Sequence, residues 1–274
     1  MDQGGQESGS IRVVVSGAAG RMGRAAVRAI AATTDLRLVG AVGRSRGVGA
    51  DAGSVAGLAP LGVPIEASVA EVLDRGADVL VEFAPGEAAL VHAREAVARA
   101  VRPVIGATGL PAGAVEELRT LCAAREVGAV VAPNFALGAV LMMVLAERVA
   151  RYFPHVEVVE LHHDRKRDAP SGTAARTARL LARSRGTAPG PPVVEEETVP
   201  GARGGTVEGV RVHSVRLPGL VAHQEVIFGG PGQVLTIRHD SVSEESFMPG
   251  LLLAVRRVVQ EHRLVEGLEP LLDL

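Results

Sequence analysis

The sequence is poor in cysteine and in aromatic side chains, and each shortage excludes a class of protein. Cys122 is the one cysteine among 274 residues, which excludes an internal disulfide and a cysteine-based metal cluster. There is no Trp, and one Tyr and five Phe do not provide platforms on which nucleic-acid bases stack. The 29 basic residues are balanced by 31 acidic ones, so the net charge of −2 offers no basic excess for phosphate backbones. We therefore expect no nucleic-acid partner.

Long hydrophobic runs are missing as well. Residues 1–10 are polar and rich in Gly and Ser, which predicts a disordered tail rather than a signal peptide. The longest uncharged stretch, residues 127–146, is interrupted by Pro133 and Asn134, and the remainder is too short to cross a bilayer. The sequence thus predicts no membrane partner and a cytoplasmic location.

Short apolar runs alternate with helical segments over the first half of the chain. The predicted strands are residues 11–16, 36–42, 79–83, 103–106 and 129–132, and the predicted helices are residues 21–32, 87–99 and 112–125. Strands that are continuous apolar runs separated by helices are typical of a parallel sheet covered on both faces. This half therefore predicts an α/β domain of the Rossmann type, with a doubly wound parallel sheet.

The pattern changes after Asn134. The predicted elements are a helix at 137–152, a strand at 156–163, a helix at 173–185, strands at 209–217, 223–228 and 233–240, and a last helix at 247–262. Residues 186–205 are rich in Pro, Gly and Glu and predict a loop. Consecutive strands without intervening helices predict an α+β domain with a mostly antiparallel sheet.

A glycine-rich turn falls between the first predicted strand and the first predicted helix. Gly17, Gly20 and Gly23 are spaced GxxGxxG, because Ala19 replaces the middle glycine of the usual GxGxxG. A dinucleotide pyrophosphate must reach backbone N–H groups at a helix N-terminus, where side chains would block it. The position of the turn in an α/β alternation favours a dinucleotide site, and a purely structural turn is the alternative.

The end of the second predicted strand bears on the choice of nicotinamide cofactor. An acid normally stands there and binds the adenosine ribose hydroxyls. This chain has Gly43 at that point, followed by Arg44 and Arg46. An arginine there suits the 2′-phosphate, so Arg44 slightly favours NADPH over NADH, and a pair of solvent-exposed arginines is the alternative.

A polar cluster begins at the end of the strand predicted at 156–163. It contains His162, His163 and Lys166, the only lysine among the 29 basic residues. Ser171 to Thr173 then open a helix, and such an N-terminus is a ready anion site. The cluster combines a proton donor, cations and an anion cradle, which suits a small carboxylate that accepts a proton. A solvated basic loop is one alternative. A metal site is the other, but adjacent ligands on a strand do not converge easily, so we expect no metal.

These motifs resemble the 4-hydroxy-tetrahydrodipicolinate reductase (dihydrodipicolinate reductase) family. The most specific is ELHHDRKRDAPSGTA at 160–174. The others are SGAAGRMGR at 16–24, IGATG at 105–109, APNFALG at 132–138, HSVRLPGLVAHQEVIFGGPGQ at 213–233 and HDSVSEESFMPG at 239–250. The resemblance extends from about Ile11 to Val259. The chain departs from it at Gly43, where an acid is frequent, and at Glu244, where Arg is frequent.

The resemblance implies a reaction of the diaminopimelate route to lysine. NADH or NADPH gives a hydride to C4 of a cyclic imine that carries two carboxylates, and C3 then takes a proton. His162 is the implied general acid, and Lys166 is implied to assist protonation and to hold a carboxylate. The other implied substrate contacts are His163, Gly172 and Thr173.

The resemblance also implies the cofactor contacts and the assembly. The pyrophosphate contacts would be Gly17, Ala18, Ala19, Gly20, Arg21 and Met22, and the nicotinamide end would meet Gly106, Ala107, Thr108, Ala132, Pro133, Asn134 and Phe135. Residues 11–134 and 245–274 would form the dinucleotide-binding domain, and residues 135–244 would bind substrate and build a homotetramer. Another two-domain NAD(P)-dependent amino-acid dehydrogenase and a non-catalytic nucleotide sensor are the alternative functions.

Overall fold

The computed structural model describes residues 9–107, 109–185, 196–272 and 274. The chain divides into two compact units. The first unit contains the chain up to Phe135 together with Phe247–Leu274, and the second unit is Ala136–Ser246. Most of the tail expected at residues 1–10, the first part of the loop expected at 186–205, and Thr108 lie outside the described residues. The roles expected for the two units stay predictions at this point.

Strands and helices alternate in the first part of the chain. The elements are β1 (Ile11–Ser16), α1 (Arg21–Ala31), β2 (Leu36–Val42), α2 (Ala52–Ala56), β3 (Ile65–Glu66), α3 (Val69–Asp74), β4 (Val79–Glu82), α4 (Glu87–Ala98), β5 (Arg102–Ile105), α5 (Ala114–Arg125) and β6 (Ala129–Val131). Val13, Val14 and Val15 of β1 are all fully buried, as expected for a strand covered on both faces. In α1 the buried side chains recur at helical spacing, at Ala26, Val27 and Ile30.

The second unit is built on a five-stranded sheet. Its elements are α6 (Leu137–Ala150), β7 (His155–His162), α7 (Gly172–Arg185), β8 (Gly205–Val207), β9 (Val210–Arg216), β10 (Ala222–Gly230) and β11 (Gln233–Ser241). The strand order is β11-β10-β7-β9-β8, and β7 runs parallel to β9 while the other neighbours are antiparallel. Burial alternates along β7, where Val156, Val158 and Glu160 are buried and the residues between them are half-buried.

The last part of the chain returns to the first unit. A 3₁₀ turn over Glu244–Phe247 precedes α8 (Met248–Val258), and β12 (Leu264–Glu266) follows. The helix predicted to reach His262 therefore ends four residues earlier, in a turn where Gln260 and Glu261 donate to carbonyl groups of the last helical residues. The strand β12 had no counterpart among the predicted elements, because three residues are too few to show a period.

The sheet of the first unit is entirely parallel and has seven strands. Their order is β12-β6-β5-β4-β1-β2-β3, so the direction of strand succession reverses beside β1. Ligands of doubly wound sheets bind at the carboxyl ends of the strands at such a switch point. The predicted fold class, a Rossmann-type sheet with a second, mostly antiparallel α+β unit, is confirmed. None of the helices in the described residues is long and apolar enough to cross a membrane.

Candidate active site

A pocket of about 450 Å³ opens at the switch point of the first sheet. It is lined by the carboxyl ends of β1, β2 and β4 and by the first turns of α4. The lining includes Gly17, Ala19 and Gly20 from the turn after β1. The predicted dinucleotide turn therefore lies where a doubly wound sheet places its ligand.

Two glycines are required by the geometry of this turn. Gly17 has a φ of +73°, a left-handed conformation that favours glycine. A Cβ atom at Gly23 would lie 2.1 Å from the carbonyl oxygen of Gly17, so α1 packs against the turn only without a side chain there. The amides of Ala18 and Gly20 donate to Val42 O and Gly17 O and close the turn. Arg21 and Met22 follow in the first turn of α1, which has no side-chain cap.

The rim of the pocket beyond β2 carries positive charge. Arg44 and Arg46 are exposed lining residues, and no Asp or Glu is among the described residues that line this pocket. Gly43 lies between them and the sheet, and a Cβ atom there would come within 2.9 Å of Ile65 Cγ2. The acid that frequently ends this strand is thus absent in sequence and hindered sterically.

Strands β5 and β6 bring their following residues to the same sheet edge. Gly106 N donates to Glu82 O, and Ala132 N donates to Ile105 O. A Cβ atom at Gly106 would lie 2.6 Å from Phe83 Cε1 and 2.7 Å from Phe135 Cε2, so the glycine sits between two rings. The structure thus brings two predicted cofactor residues, Gly106 and Phe135, together with Phe83, which sequence reasoning missed. The other predicted residues here are Ala107, Ala132, Pro133 and Asn134, which adjoin them in sequence.

A hydrogen-bonded histidine in the wall of the same pocket was also missed. His92 Nδ1 lies 2.9 Å from Glu82 Oε2 and 3.0 Å from Ser16 Oγ. Ser16 and Glu82 are fully buried, and both His92 and Ser16 line the pocket. The acid at the end of the apolar run in β4 was the available signal, since buried acids require partners.

In the second unit, His162 is the last residue of β7 and contacts a buried carboxylate. Its Nδ1 lies 2.5 Å from Glu160 Oε2, and the side chain of Glu160 is fully buried. Residues two apart on a strand share a face, which explains the contact. Burial raises the pKa of Glu160, but hydrogen bonds from His162 and Arg216 outweigh it and lower that pKa to about 2.

Arg216 completes this arrangement and was not predicted. It donates from Nη2 to Glu160 Oε1 at 2.7 Å and from Nη1 to Glu160 Oε2 at 2.9 Å. Because β9 runs parallel to β7 with Arg216 opposite His162, the register places the guanidinium beside the histidine. Arg216 Nη2 also donates to the carbonyl of Asp168, in the loop that carries Lys166.

The remaining predicted substrate contacts surround this cluster. His163 lies just beyond the strand, and its buried Nδ1 has no hydrogen-bond partner within the described part of the chain. Ser171 Oγ accepts from Ala174 N at 3.1 Å, so this hydroxyl caps the N-terminus of α7. Gly172 is exposed with open space beside it, and Thr173 follows in the helix. The described residues contain no group of three His, Cys, Asp or Glu suited to hold a metal ion.

Comparison with a distant solved structure shows the fold. A scyllo-inositol dehydrogenase from Lactobacillus casei superposes with a TM-score of 0.61 over 96% of this chain and 92% of its own, at 11% identity, which shows the fold alone. The pocket at the switch point and the glycine turn belong to that fold. The chain thus has the Rossmann-type fold of this class of proteins.

The family follows from sequence. Residues 11–135 match the family model for the N-terminus of dihydrodipicolinate reductase, and residues 138–272 match the model for its C-terminus. The chain is 57% identical to a 4-hydroxy-tetrahydrodipicolinate reductase from Moorella thermoacetica over 265 residues, 96% of this chain and 98% of that protein. It also superposes on dipicolinate-bound dihydrodipicolinate reductase from Paenisporosarcina sp. TG-14 with a TM-score of 0.87, at 39% identity over 96% of this chain and 100% of the other. The chain belongs to the dihydrodipicolinate reductase family.

Membership confirms the resemblance drawn from the motifs. The family reduces 4-hydroxy-tetrahydrodipicolinate in the diaminopimelate route to lysine, with NAD(P)H as the reductant. This activity replaces the two alternatives, an amino-acid dehydrogenase and a non-catalytic sensor. The chain is therefore an oxidoreductase.

Proposed function

We propose that the chain reduces 4-hydroxy-tetrahydrodipicolinate with a proton supplied by His162. The observation that carries this proposal is the linkage of His162 and the N-terminus of α7 through one buried carboxylate. Glu160 accepts from His162 Nδ1 at 2.5 Å and from Ser171 N at 3.2 Å. A proton donor and a helix N-terminus held by the same group suit a carboxylate-bearing substrate that is protonated beside its anion site.

The second unit offers several donors for two substrate carboxylates. The N-terminus of α7 at Gly172 and Thr173, with open space beside Gly172, would provide backbone N–H groups for one. The unpartnered Nδ1 of His163 is a further donor when protonated. Lys166 supplies a positive charge, at present paired with Asp168. The Paenisporosarcina relative is a dipicolinate complex, which supports a small dicarboxylate as the ligand.

The first unit fits a nicotinamide cofactor. A Cβ atom at Gly17, Gly20 or Gly106 would collide with the protein or narrow the pocket. The pyrophosphate contacts would be the turn and the first turn of α1 (Gly17, Ala18, Ala19, Gly20, Arg21 and Met22), and the nicotinamide contacts would be Gly106, Ala107, Thr108, Ala132, Pro133, Asn134 and Phe135. When bound, the cofactor supplies the hydride for C4 of the substrate.

Proton transfer then falls to this chain's own residues. The 4-hydroxyl of the substrate first leaves as water together with a hydrogen from C3, which gives a C=C bond conjugated with C=N. Hydride addition at C4 of this imine leaves an enamine, whose C3 takes H⁺ as the C=N bond is restored. His162 gives this proton and regains one from solvent, while Lys166 neutralises a carboxylate and assists. We propose NADPH as the slightly preferred cofactor, because Arg44 and Arg46 stand at the rim and the described lining carries no acid.

The exposed edge of the second sheet supports assembly into a homotetramer. β11 is an edge strand, and Val234 and Leu235 on it are 71% and 38% exposed. Edge strands with exposed apolar side chains are surfaces that proteins cover. We expect size-exclusion chromatography with light scattering to give four chains per particle. A cytoplasmic location stays a prediction.

A coupled assay tests the activity. Pyruvate and aspartate semialdehyde are condensed enzymatically to generate the substrate in place, and oxidation of NADPH or NADH is followed at 340 nm. We expect turnover with both cofactors and a moderately higher kcat/KM with NADPH. Absence of turnover with either cofactor would refute the proposed function, and a preference for NADH would refute only the role of the arginine rim.

A further inference from the structure

The carboxylate of Glu160 is saturated with hydrogen-bond donors. Its Oε2 accepts from His162 Nδ1 at 2.5 Å and from Arg216 Nη1 at 2.9 Å. Its Oε1 accepts from Arg216 Nη2 at 2.7 Å and from Ser171 N at 3.2 Å. A carboxylate has about four lone-pair sites, so the described donors fill all of them. A fully buried carboxylate of this kind is fixed in orientation and has no capacity left for a substrate contact.

We infer that Glu160 is a positioning residue, which holds His162 with its proton on Nδ1 and thereby makes Nε2 the atom that transfers the proton. The inference rests on the proposed role of His162 as the acid. An ionised carboxylate can only accept, so the Nδ1 atom facing it must donate. The imidazolium form then carries its second proton on Nε2, and transfer of that proton leaves a neutral ring that still donates from Nδ1.

Arg216 is the reason that this carboxylate remains an acceptor. A buried carboxylate without a cation tends to take up a proton, and a protonated Glu160 could donate to Nδ1 and reverse the tautomer of the ring. The bidentate fork from Arg216 stabilises the charged form of Glu160 instead. The low pKa of Glu160, about 2, agrees with this assignment. The direction of the hydrogen bond to His162 is therefore set by a third residue.

The amide analogue is expected to fail for a specific reason. In Glu160→Gln one end of the side chain is an NH₂ group, which can only donate. If the amide oxygen faces Arg216, the NH₂ group faces His162, so Nδ1 must accept and the neutral ring carries its proton on Nε2. Giving up that proton would leave an imidazolate, which is inaccessible at neutral pH. The variant keeps the shape of the side chain but blocks the acid.

The same strand supplies a matched control. Glu157 is also on β7, and it pairs with an arginine and a histidine, Arg203 and His213, whose Nε2 lies 2.7 Å away. Because it is three residues from Glu160, it projects from the opposite face of the strand. Glu157→Gln thus alters a half-buried charge network on the same strand, again with an arginine and a histidine, without touching His162.

The test is a double-mutant cycle in the full-length protein, with NADPH and the coupled substrate. We expect Glu160→Gln to lower kcat on the order of 10²–10⁴-fold, the range seen when a general acid is removed or held in the wrong tautomer. KM and the Kd of dipicolinate, measured by calorimetry, should change less than about threefold. Glu157→Gln should retain kcat within about twofold. Glu160→Gln combined with His162→Ala should be no slower than His162→Ala alone, because Glu160 acts through the histidine.

Each outcome decides between the inference and its premise. If His162→Ala itself keeps the kcat of the unchanged protein, the proposed acid role fails. If His162→Ala is slow but Glu160→Gln is not, or if the two losses multiply in the double variant, the positioning role alone fails. Nitrogen NMR of His162 in selectively labelled protein should report Nδ1–H in the unchanged protein and loss of that proton in Glu160→Gln. Should Glu160→Gln not fold, Glu160→Asp carries the cycle, since it keeps the charge but falls short of Nδ1, and a kcat equal to that of the unchanged protein would overturn the inference.

Discussion

Lys166 Nζ lies 2.9 Å from both carboxylate oxygens of Asp168. This hydrogen bond lowers the pKa of Asp168. A compact ammonium can turn from such a partner to a substrate carboxylate, whereas a guanidinium would form a planar bidentate fork with Asp168 and be retained there. The only lysine of the chain thus occupies a position where lysine and arginine would behave differently.

We therefore expect Lys166→Arg to lower kcat/KM by about 10–100-fold although the charge is kept, as for loss of a hydrogen bond to a charged group. Steady-state kinetics measures the change. Arg165→Lys, an exposed neighbour exchanged in the opposite sense, serves as the control and should leave kcat/KM unaltered. An equally active Lys166→Arg enzyme would mean that the reaction does not require lysine rather than arginine at this position.

Replacement of the proposed acid should separate chemistry from cofactor binding. We expect His162→Ala to lower kcat on the order of 10²–10⁴-fold. The Kd for NADPH, followed by nucleotide fluorescence, should change little, because His162 belongs to the second unit and the pocket at the glycine turn to the first. Equal turnover in the variant would remove His162 from the acid role.

Arg44→Ala tests whether Arg44 binds the 2′-phosphate of NADPH. We expect KM for NADPH to rise about 10–100-fold and KM for NADH to stay within about twofold, since only NADPH carries the charged group that the arginine would bind. Arg37→Ala, an exposed arginine within β2, is the control and should affect neither cofactor. Equal losses for NADPH and NADH would show that Arg44 does not discriminate between them.

The glycine turn gives a prediction about stability. Gly23→Ala would place a methyl group 2.1 Å from Gly17 O, and backbone cannot move aside as a flexible side chain can. We expect a loss in the free energy of unfolding of about 1–3 kcal/mol together with weaker NADPH binding. Gly205→Ala, where nothing lies within 4 Å of the added atom, should be neutral in both measurements. A stable Gly23→Ala protein with normal cofactor affinity would contradict the packing role of this glycine.

The sheet of the first unit was predictable because its main strands are continuous runs of apolar residues. Three consecutive valines in β1, Val13, Val14 and Val15, are buried on both faces, and runs of this kind separated by helices specify a parallel sheet. The segment between β2 and β4 was not predicted, because β3 has two residues and α2 has five, and elements so short show no period.

The candidate site divides in the same way. His162 and Lys166 could be singled out because they lie within five residues of one another and are unusual in type. Glu160 could have been paired with His162 from the two-residue period of a strand, although nothing in the sequence says that this end of the strand is buried. Arg216 could not be assigned, because its contact depends on the parallel register of β9 with β7, which sequence patterns do not give. Long-range register is the information that a local pattern lacks.

The low pKa of Glu160 predicts how stability depends on pH. The pKa is about 2 in the folded protein against 4.5 for an ordinary glutamate, so the folded state binds this proton less readily than the unfolded state. The stabilising contribution is therefore complete above about pH 5 and is lost as the pH falls from there toward 2, with on the order of 2 kcal/mol gone by pH 3. Glu160→Gln has no proton to bind at this position.

We expect the difference in unfolding free energy between the unchanged protein and Glu160→Gln to shrink by about 2 kcal/mol between pH 6 and pH 3, measured by urea denaturation at equal protein concentration. A difference that is the same at both pH values would mean that Glu160 titrates normally in the folded chain, and that Arg216 does not hold it charged.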